Sequence, residues 1–407
     1  MSGMADGSGT LIASPDPGQA RQQPDWADRR RLTLVRRRLA EAPGLVRVEE
    51  TDRLRGLLAD VAAGEVRVLQ AGDCAEDPAE CTPGYVARKA RLLDALAEVV
   101  RRSTSRRVVR VGRIAGQFAK PRSRPTEPVG DGELPVYRGH MVNSPLPRAE
   151  DRVHDPDRML VCYEAARSAM ALLGWPGEGG HARATDGTAA TPHVDRRVWT
   201  SHEALVLDYE LPLLRRTNDG RLLLTSTHWP WIGERTRHLD GPQVALLAEV
   251  VNPVACKVGP ATTAGEVAAL CERLDPAREP GRLALIARMG ADAVAARLPP
   301  LVEAVHSAGH PVVWLTDPMH GNTVSGPDGL KTRFLDAVLR EVREFQSAVR
   351  SAGGVAGGLH LETTPDNVTE CVADRAGLDQ VGDKYTSLCD PRLNPEQALQ
   401  VAAEWRG

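Results

Sequence analysis

The sequence predicts a (β/α)8 barrel, the TIM-barrel fold, with a helical extension at its N-terminus. From residue 66 onward, short apolar runs alternate with segments of helical periodicity, a pattern typical of parallel strands joined by helices. Three of these runs end abruptly in side chains that can bind metal, at Cys74, His320 and Glu362. Because the carboxyl ends of all strands open on one face of such a barrel, the pattern indicates a functional site there.

Composition suggests how the chain is organised. Residues 1–25 are rich in Gly, Ser, Asp and Pro, which predicts a disordered tail. Residues 26–65 contain two helical patterns and form the predicted helical extension, and residues 66–407 form the predicted catalytic barrel. The stretch 176–197 has no apolar periodicity and is predicted to be a flexible insertion. A single barrel can account for this length, because such barrels often exceed about 250 residues.

The predicted strands follow one another in order along the chain. They lie at 66–72, 107–114, 199–208, 222–228, 253–258, 282–288, 311–317 and 358–362. Helix starts are marked by Thr82-Pro83, by the capping box at 263–266 and by Asn394-Pro395. Thr364-Pro365 has the same arrangement of a capping residue before proline and predicts a further helix.

Charge and composition argue against several classes of function. The 51 Lys and Arg are balanced by 54 Asp and Glu, and no basic face interleaved with aromatics points to nucleic acid. No apolar run approaches the roughly 18 residues of a membrane helix, and no signal-peptide core is found. Seven irregularly spaced cysteines favour reduced thiols, and therefore a cytoplasmic protein.

Four side chains form a candidate metal site: Cys74, His320, Glu362 and Asp390. The first three end predicted strands 1, 7 and 8, which are neighbours around a closed barrel, and Asp390 follows strand 8. A thiolate, an imidazole and two carboxylates suit Mn, Co, Fe or Zn better than Mg or Ca. Each residue alone has an ordinary alternative, since a buried cysteine is more often a core residue. Their coincidence at strand ends favours the metal site.

Cations are concentrated at other strand ends. Arg113, Lys257 and Arg288 lie in apolar strand context, where a charge is costly unless it meets an anion. Further cations follow strands 2, 4 and 7, namely Lys120, Arg122, Arg235 and Lys331. The alternative is that such residues pair with Asp and Glu or lie on solvated helices, and this is preferred for Arg101, Arg102, Arg106 and Arg107. A metal beside several anion sites suggests condensation of phosphorylated metabolites.

Eight longer motifs then point to a family. They are QAGDCAE at 70–76, GQFAKPRS at 116–123, SHEAL at 201–205, WIGERTR at 231–237, KVGP at 257–260, DPMHGNT at 317–323, HLETT at 360–364 and SLCDPRLN at 387–394. Between about residues 24 and 405, the chain resembles a short form of the type II (plant-like) 3-deoxy-D-arabino-heptulosonate 7-phosphate (DAHP) synthases.

The resemblance implies the first reaction of the shikimate pathway. Phosphoenolpyruvate, erythrose 4-phosphate and water would give DAHP and phosphate, with Mn2+ or Co2+ as cofactor. By motif, the metal ligands would be Cys74, His320, Glu362 and Asp390. The implied phosphoenolpyruvate contacts are Arg113, Trp231, Glu234, Arg235, Lys257 and Arg288. The residues near erythrose 4-phosphate would be Lys120, Arg122, Ser123 and Lys331. Lys257, Glu234 and His320 are the candidate catalytic groups, without an assignment of the general base.

The resemblance also raises questions that the sequence leaves open. The insertion at 176–197 is shorter than, and unlike, the helical hairpin with which long members bind aromatic amino acids, so we expect an enzyme without aromatic feedback that serves specialised metabolism. An amino-DAHP synthase using the imine of erythrose 4-phosphate, or an inactive paralogue that binds a partner, would look similar. A homodimer is expected, and a chorismate mutase is a conceivable partner. Loss of metal is expected to let Cys74 and Cys389 form an inactivating disulfide.

Overall fold

The computed structural model describes residues 20–130, 132–175, 177–178, 197–326 and 329–406. Its α-helices over these residues are α1 (Arg29–Glu41), α2 (Val48–Ala62), α3 (Pro83–Thr104), α4 (Asp157–Leu172), α5 (Leu207–Glu210), α6 (Pro242–Glu249), α7 (Ala264–Leu274), α8 (Val294–Ser307), α9 (Leu335–Ser351) and α10 (Pro395–Ala403). Thr82, Thr263 and Asn394 cap α3, α7 and α10 through their side chains, so these three predicted helix starts are confirmed.

Eight parallel strands close into a barrel, which confirms the predicted fold class. The strands along the chain are β1 (Val66–Gly72), β2 (Arg107–Arg113), β3 (Thr126–Val129), β4 (Gly132–Pro135), β5 (Val198–Glu203), β6 (Leu214–Arg216), β7 (Leu222–Leu224), β8 (Trp229–Ile232), β9 (Val254–Val258), β10 (Leu283–Ala287), β11 (Val313–Thr316), β12 (Thr323–Ser325), β13 (Lys331–Arg333) and β14 (Ala356–Glu362). The barrel order is β1-β14-β11-β10-β9-β8-β5-β2. The strands that end near Cys74, Glu362 and His320 are therefore adjacent.

One predicted strand and one predicted helix are wrong. Residues 222–228 do not form the fourth barrel strand, because β7 pairs antiparallel with β6 in a hairpin outside the barrel. The fourth strand is β8, which contains Pro230 and pairs with β5 and β9. No α-helix begins at Thr364-Pro365, within the described stretch 363–374. There the Asp366 amide donates to Thr364 Oγ1 at 3.3 Å, and the Asp366 carboxylate turns towards Arg88 of α3.

Helix α2 covers the end of the barrel where the strands begin. Val61 of α2 is fully buried, and α2 approaches the start of β10 very closely. A Cβ on Gly281 would lie 2.1 Å from the Arg55 carbonyl oxygen, so only glycine fits there. Upstream, within the predicted tail, the Gln23 side chain donates to the Leu205 carbonyl at 2.8 Å. The division into tail, extension and barrel stays a prediction.

The opposite end is the mouth, at the carboxyl ends of the strands. Two hairpins, β3–β4 and β12–β13, follow barrel strands at this end and contribute Glu127 and Lys331 to its lining. Most of the predicted insertion, namely 176 and 179–196, lies outside the described residues. Among the residues that the structure describes, none of the helices combines the length and apolarity needed to cross a bilayer.

Candidate active site

A cavity of about 560 Å³ opens at the mouth of the barrel. Every residue predicted to contact a substrate lines it: Arg113, Lys120, Arg122, Ser123, Trp231, Glu234, Arg235, Lys257, Arg288 and Lys331. His320 and Asp390, two of the predicted metal ligands, also line it. Side chains from the ends of β2, β5, β8, β9, β10 and β11 thus share one pocket.

Three of the four predicted metal ligands converge in this pocket. One ligand atom each of His320, Glu362 and Asp390 lies within 4.8 Å of the other two. His320 Nε2 is 3.2 Å from Glu362 Oε1 and 4.0 Å from Asp390 Oδ2. An imidazole and two carboxylates at these separations form a set that can close around a divalent ion.

Cys74 lies beside this group rather than within it. Its Sγ is 3.3 Å from Ser387 Oγ, and Cys389 packs against it in a small buried cluster with Tyr137. A hydrogen bond from Cys389 lowers the pKa of the Cys74 thiol to about 6, although burial opposes the shift. The Cys74 role as fourth ligand stays a prediction, and its thiolate character suits that role.

Glu362 forms ion pairs with three cations in the site. Its buried carboxylate meets Arg113 at 3.0 Å, Lys120 at 2.8 Å and Arg333 at 2.8 Å. Burial alone would raise the pKa of Glu362, but His320 and these cations outweigh it and hold the pKa well below its usual range. The carboxylate is therefore ionised, as a metal ligand must be.

Lys120 bridges the two carboxylates of the metal set. Its ammonium lies 2.8 Å from Glu362 Oε1, 2.9 Å from Asp390 Oδ2 and 3.5 Å from His320 Nε2. These three partners are the same groups that could hold a divalent ion. Lys120 and a metal ion would therefore compete for the same oxygens.

Asp317 connects the metal set to Lys257. One oxygen of its buried carboxylate accepts from Lys257 Nζ at 2.7 Å and lies 2.7 Å from His320 Nδ1. Burial alone would raise the pKa of Asp317, yet His320 and Lys257 hold it well below its usual range. An Nδ1–H bond to this carboxylate orients the imidazole and leaves Nε2 free for metal. Burial lowers the pKa of Lys257, although Asp317 opposes the shift.

Arg113 is fixed on three sides before any substrate binds. Besides Glu362, its guanidinium meets His360 Nε2 at 2.8 Å and stacks over the Trp231 ring, 5.3 Å from the centroid. Burial, with Lys257 and Arg113 nearby, lowers the pKa of His360 well below its usual range. The imidazole is therefore neutral and can accept from Arg113. A rigid guanidinium at the pocket wall suits a planar anion.

Two of the cations that were predicted to contact substrate lack an acidic partner. Among the described residues, no carboxylate lies within ion-pair distance of the Arg235 or Arg288 guanidinium, and Arg235 donates only to Ser123 Oγ, at 2.7 Å. Elsewhere at the mouth, Arg122 pairs with Glu127 at 3.2 Å and Lys331 with Asp390 at 2.8 Å. Fixed positive charge without a partner is the expected sign of an anion site.

Sequence reasoning missed three groups that contact or border this site. They are the buried Asp317 and His360 and the half-buried Glu203. Each lies inside a quoted motif, and the spacing of Asp317 three residues before His320 was an available signal. No sequence signal separated Glu203 from an ordinary strand residue. Nothing in the chain shows directly that His360 pairs with Arg113, because 247 residues separate them.

The donor set fits the transition metal that the sequence implied. The carboxylates are ionised, one imidazole nitrogen is oriented by Asp317, and the cluster already attracts the Lys120 ammonium. His320, Glu362 and Asp390 would hold the ion. These observations suit a borderline divalent metal such as Mn, Co, Fe or Zn.

Comparison with known proteins agrees with the motifs. The family model described as the class-II DAHP synthetase family matches residues 14–195 and 180–405. The chain is 57% identical over 388 residues to a probable phospho-2-dehydro-3-deoxyheptonate aldolase of Pseudomonas fluorescens, covering 95% of each chain. It is 41% identical to the Streptomyces coelicolor phospho-2-dehydro-3-deoxyheptonate aldolase, covering 94% of each. A Mycolicibacterium smegmatis relative of the same name is 40% identical, with coverage of 94% of this chain and 90% of that one.

Matches of this extent agree with the barrel, with the converging metal set and with the unpaired cations at the mouth. The chain therefore belongs to the class-II DAHP synthetase family.

Proposed function

We propose that the mouth pocket joins phosphoenolpyruvate to erythrose 4-phosphate. As a member of its family the chain is a DAHP synthase, a transferase of the shikimate pathway. C3 of phosphoenolpyruvate attacks the aldehyde carbon, water adds at C2, and phosphate leaves. The observation that supports this pocket most strongly is one cavity of about 560 Å³ that contains two candidate metal ligands and two predicted substrate-binding cations without acidic partners.

The two substrates would lie on different sides of the pocket. Lys257 and Arg288 come from the adjacent strands β9 and β10, and Arg113 comes from β2 across the barrel mouth. These three cations would hold phosphoenolpyruvate, together with Trp231, Glu234 and Arg235. Bidentate guanidinium contacts suit both its carboxylate and its phosphate. Lys120, Arg122, Ser123 and Lys331 would hold the phosphate end of the sugar. Holding both reactants together lowers the entropic part of the barrier.

A divalent transition metal would complete the site, with Mn2+ or Co2+ as our proposal. When bound, the ion polarises the aldehyde oxygen as a Lewis acid. Around it, Asp317 keeps the His320 ring oriented and Arg333 holds Glu362 in place. Lys257, with its lowered pKa, stands beside Trp231 and can carry a proton within the pocket.

The test is consumption of phosphoenolpyruvate with erythrose 4-phosphate, followed by product identification. We expect turnover that EDTA abolishes and that Mn2+ or Co2+ restores. A mixture of erythrose 4-phosphate and its imine addresses the amino-DAHP alternative, because the product carries nitrogen only if the imine is used. An enzyme that consumes no phosphoenolpyruvate with either acceptor would contradict the proposal and favour an inactive paralogue.

We also propose that aromatic amino acids do not regulate this enzyme, as expected for specialised metabolism. The proposal depends on the brevity of the insertion at 176–197. Initial rates should be unchanged by Trp, Phe or Tyr, added singly and in pairs. Inhibition at micromolar concentrations would refute it.

The oligomeric state, the partner and the cellular location of this protein are also proposals. A homodimer is proposed, and light scattering on the purified chain would test it. A chorismate mutase partner would be tested by adding such an enzyme and measuring both activities. Cytoplasmic location is proposed from the reduced cysteines, and the described cysteines are free thiols.

A further inference from the structure

Glu341 is a buried acid on α9 that contacts the loops carrying Arg288 and His320. Its side chain is fully buried. Its hydrogen-bond donors come from the loops that follow two neighbouring barrel strands, β10 and β11. Burying a carboxylate is costly unless strong donors satisfy it, so its contacts with these loops require an explanation.

The first of the two loops follows β10 and contains Arg288. The next two amides, of Met289 and Gly290, both donate to Glu341 Oε1, at 3.1 and 3.0 Å. The Arg288 amide itself donates to the Val258 carbonyl, at the end of β9, at 2.9 Å. The backbone that directs the Arg288 side chain to the cavity is therefore held by the barrel on one side and by Glu341 on the other.

The second loop follows β11 and contains His320. Two residues further on, the Asn322 side chain donates through Nδ2 to Glu341 Oε2 at 2.6 Å and to the Pro318 carbonyl at 2.9 Å. Its Oδ1 accepts from the Ala291 amide at 3.0 Å. Asn322 therefore closes the turn that presents His320, and it connects this turn both to α9 and to the loop after β10.

The two loops also touch directly, through a pair of glycines. A Cβ on Gly321 would lie 2.3 Å from the Gly290 amide nitrogen, and a Cβ on Gly290 would lie 3.0 Å from the Gly321 carbonyl oxygen. Gly290 also has a φ of +86°, which residues with a Cβ rarely adopt. Because the two backbones are in contact here, a shift of one loop displaces the other.

We propose that Glu341 is a positioning residue that fixes the placement of Arg288 relative to His320. One oxygen of its carboxylate holds the Arg288 loop, and the other holds the His320 turn through Asn322. Such placement matters because a misplacement of about 1 Å can cost about a hundredfold in rate. The inference rests on the proposed function, in which Arg288 contacts phosphoenolpyruvate and His320 binds the metal.

The first experiment compares Glu341→Gln with wild type. Glutamine keeps the shape of the side chain but places an N–H group against Asn322 Nδ2, so the contact between α9 and the His320 turn is lost. The Kd for Mn2+, from calorimetric titration, and the KM for phosphoenolpyruvate should each rise about tenfold, as is typical when a supporting hydrogen bond is removed. The KM for erythrose 4-phosphate should be unchanged, because Lys120 and Arg122 belong to the loop after β2.

Asn322→Ala tests the same contact from the other side and leaves the buried carboxylate in place. It should raise the Mn2+ Kd and the KM for phosphoenolpyruvate in the same way, and it decides the question if Glu341→Gln does not fold. Because both side chains act through one contact, the double variant should lose little more than either single variant.

Two control variants on α9 separate positioning from general loss of stability. Glu344→Gln makes the same chemical change three residues further along the helix and should behave as wild type. Val349→Ala leaves a cavity in the core, because Val349 is fully buried. It should lower the melting temperature and leave the Mn2+ Kd unchanged.

Three results would overturn the inference. The first is a wild-type Mn2+ Kd and a wild-type KM for phosphoenolpyruvate in both Glu341→Gln and Asn322→Ala. The second is a loss of Mn2+ affinity in Val349→Ala as large as in these variants, and the third is a double variant whose loss equals the product of the two single losses. The Mn2+ titration does not require turnover, so a wild-type enzyme that consumes no phosphoenolpyruvate would contradict the proposed function alone.

Discussion

The two ends of the barrel use arginine in different ways. At the closed end, where the strands begin, Arg107 pairs with Asp60 at 3.1 Å on the surface. At the mouth, Arg288 and Arg235 meet no carboxylate within the described part of the chain. Both ends contain clusters of basic residues in the sequence. The comparison teaches that a cluster of arginines is informative only when its members lie at the carboxyl ends of strands and lack acidic partners.

The largest expected effect comes from removing an unpaired cation at the mouth. Arg288→Ala should lower kcat/KM for phosphoenolpyruvate about a thousandfold, because two charge-assisted hydrogen bonds contribute about 4 kcal/mol. Arg107→Ala, at the closed end, should stay within about twofold, since an exposed ion pair contributes less than about 1 kcal/mol. Steady-state kinetics would test the pair. Equal losses in the two variants would remove the distinction between the ends.

The cysteines at the mouth also differ from those on the surrounding helices. At the mouth, the pKa of Cys74 is lowered to about 6 through the hydrogen bond from Cys389, whereas on α7 burial raises the pKa of Cys271 to about 12. Metal-free, air-exposed protein should lose two thiols and should not regain activity when Mn2+ is added, and reductant should restore both the thiols and the response to Mn2+. Cys389→Ser should prevent the loss, and Cys271→Ser should behave as wild type. An unchanged thiol count in wild type would exclude the disulfide.

A smaller effect is expected from the cation that already occupies the metal set. Lys120→Met removes an ammonium 2.8 Å from Glu362 Oε1 and 2.9 Å from Asp390 Oδ2. Mn2+ affinity, measured by calorimetric titration, should rise about tenfold, equivalent to about 1.4 kcal/mol, although turnover falls. The matched control, Arg107→Ala, should leave the affinity unchanged. Weaker Mn2+ binding by Lys120→Met would show that Lys120 supports the metal instead of competing with it.

The smallest effects concern two buried carboxylates with opposite pKa shifts. Near the mouth, burial raises the pKa of Glu341 to about 8, while its carboxylate accepts from the Met289 and Gly290 amides at 3.1 and 3.0 Å. At the closed end, burial acts to raise the pKa of Glu50, but His228 and Arg47 lower it overall.

These shifts predict opposite pH dependences of stability. Folded protein keeps the Glu341 proton while unfolded chain loses it, so this residue makes stability fall as the pH rises from the ordinary glutamate pKa to about 8. The slope is at most about 1.4 kcal/mol per pH unit, and Glu341→Gln should remove it. Glu50 stabilises the fold above its unfolded pKa and loses this effect as the pH falls, so Glu50→Gln should flatten the acid side. Urea unfolding at several pH values would test both predictions. Variants whose stability depends on pH in the same way as wild type would contradict them.

Much of the fold could be predicted because local and global signals agree. Alternating apolar runs and capped helices gave the barrel class and three helix starts. The fourth strand was misplaced, since the apolar run of β7 is equally compatible with a hairpin, and Pro230 suggests a loop rather than the strand β8. Thr364 failed as a helix start because its contact with Asp366 closes a turn instead.

Only the site residues that belong to the long motifs could be predicted from the sequence. Long motifs placed the metal and substrate residues, and three of the four predicted metal ligands converge. The role of Asp317 depends on its contact with Lys257 from a different strand, which no single stretch of sequence encodes. The position of Cys74 beside the metal set could not be predicted for the same reason, because its neighbour Ser387 lies 313 residues away in the sequence.

The central claim is that a divalent ion is held at the mouth by His320, Glu362 and Asp390, and metal stoichiometry tests it directly. Reduced wild-type protein, loaded with Mn2+ and freed of excess, should retain one ion per chain. His320→Ala should retain none while keeping a wild-type melting profile, and Arg107→Ala should bind like wild type. An undiminished ion content in His320→Ala, or wild-type protein that retains no transition metal at all, would contradict the account.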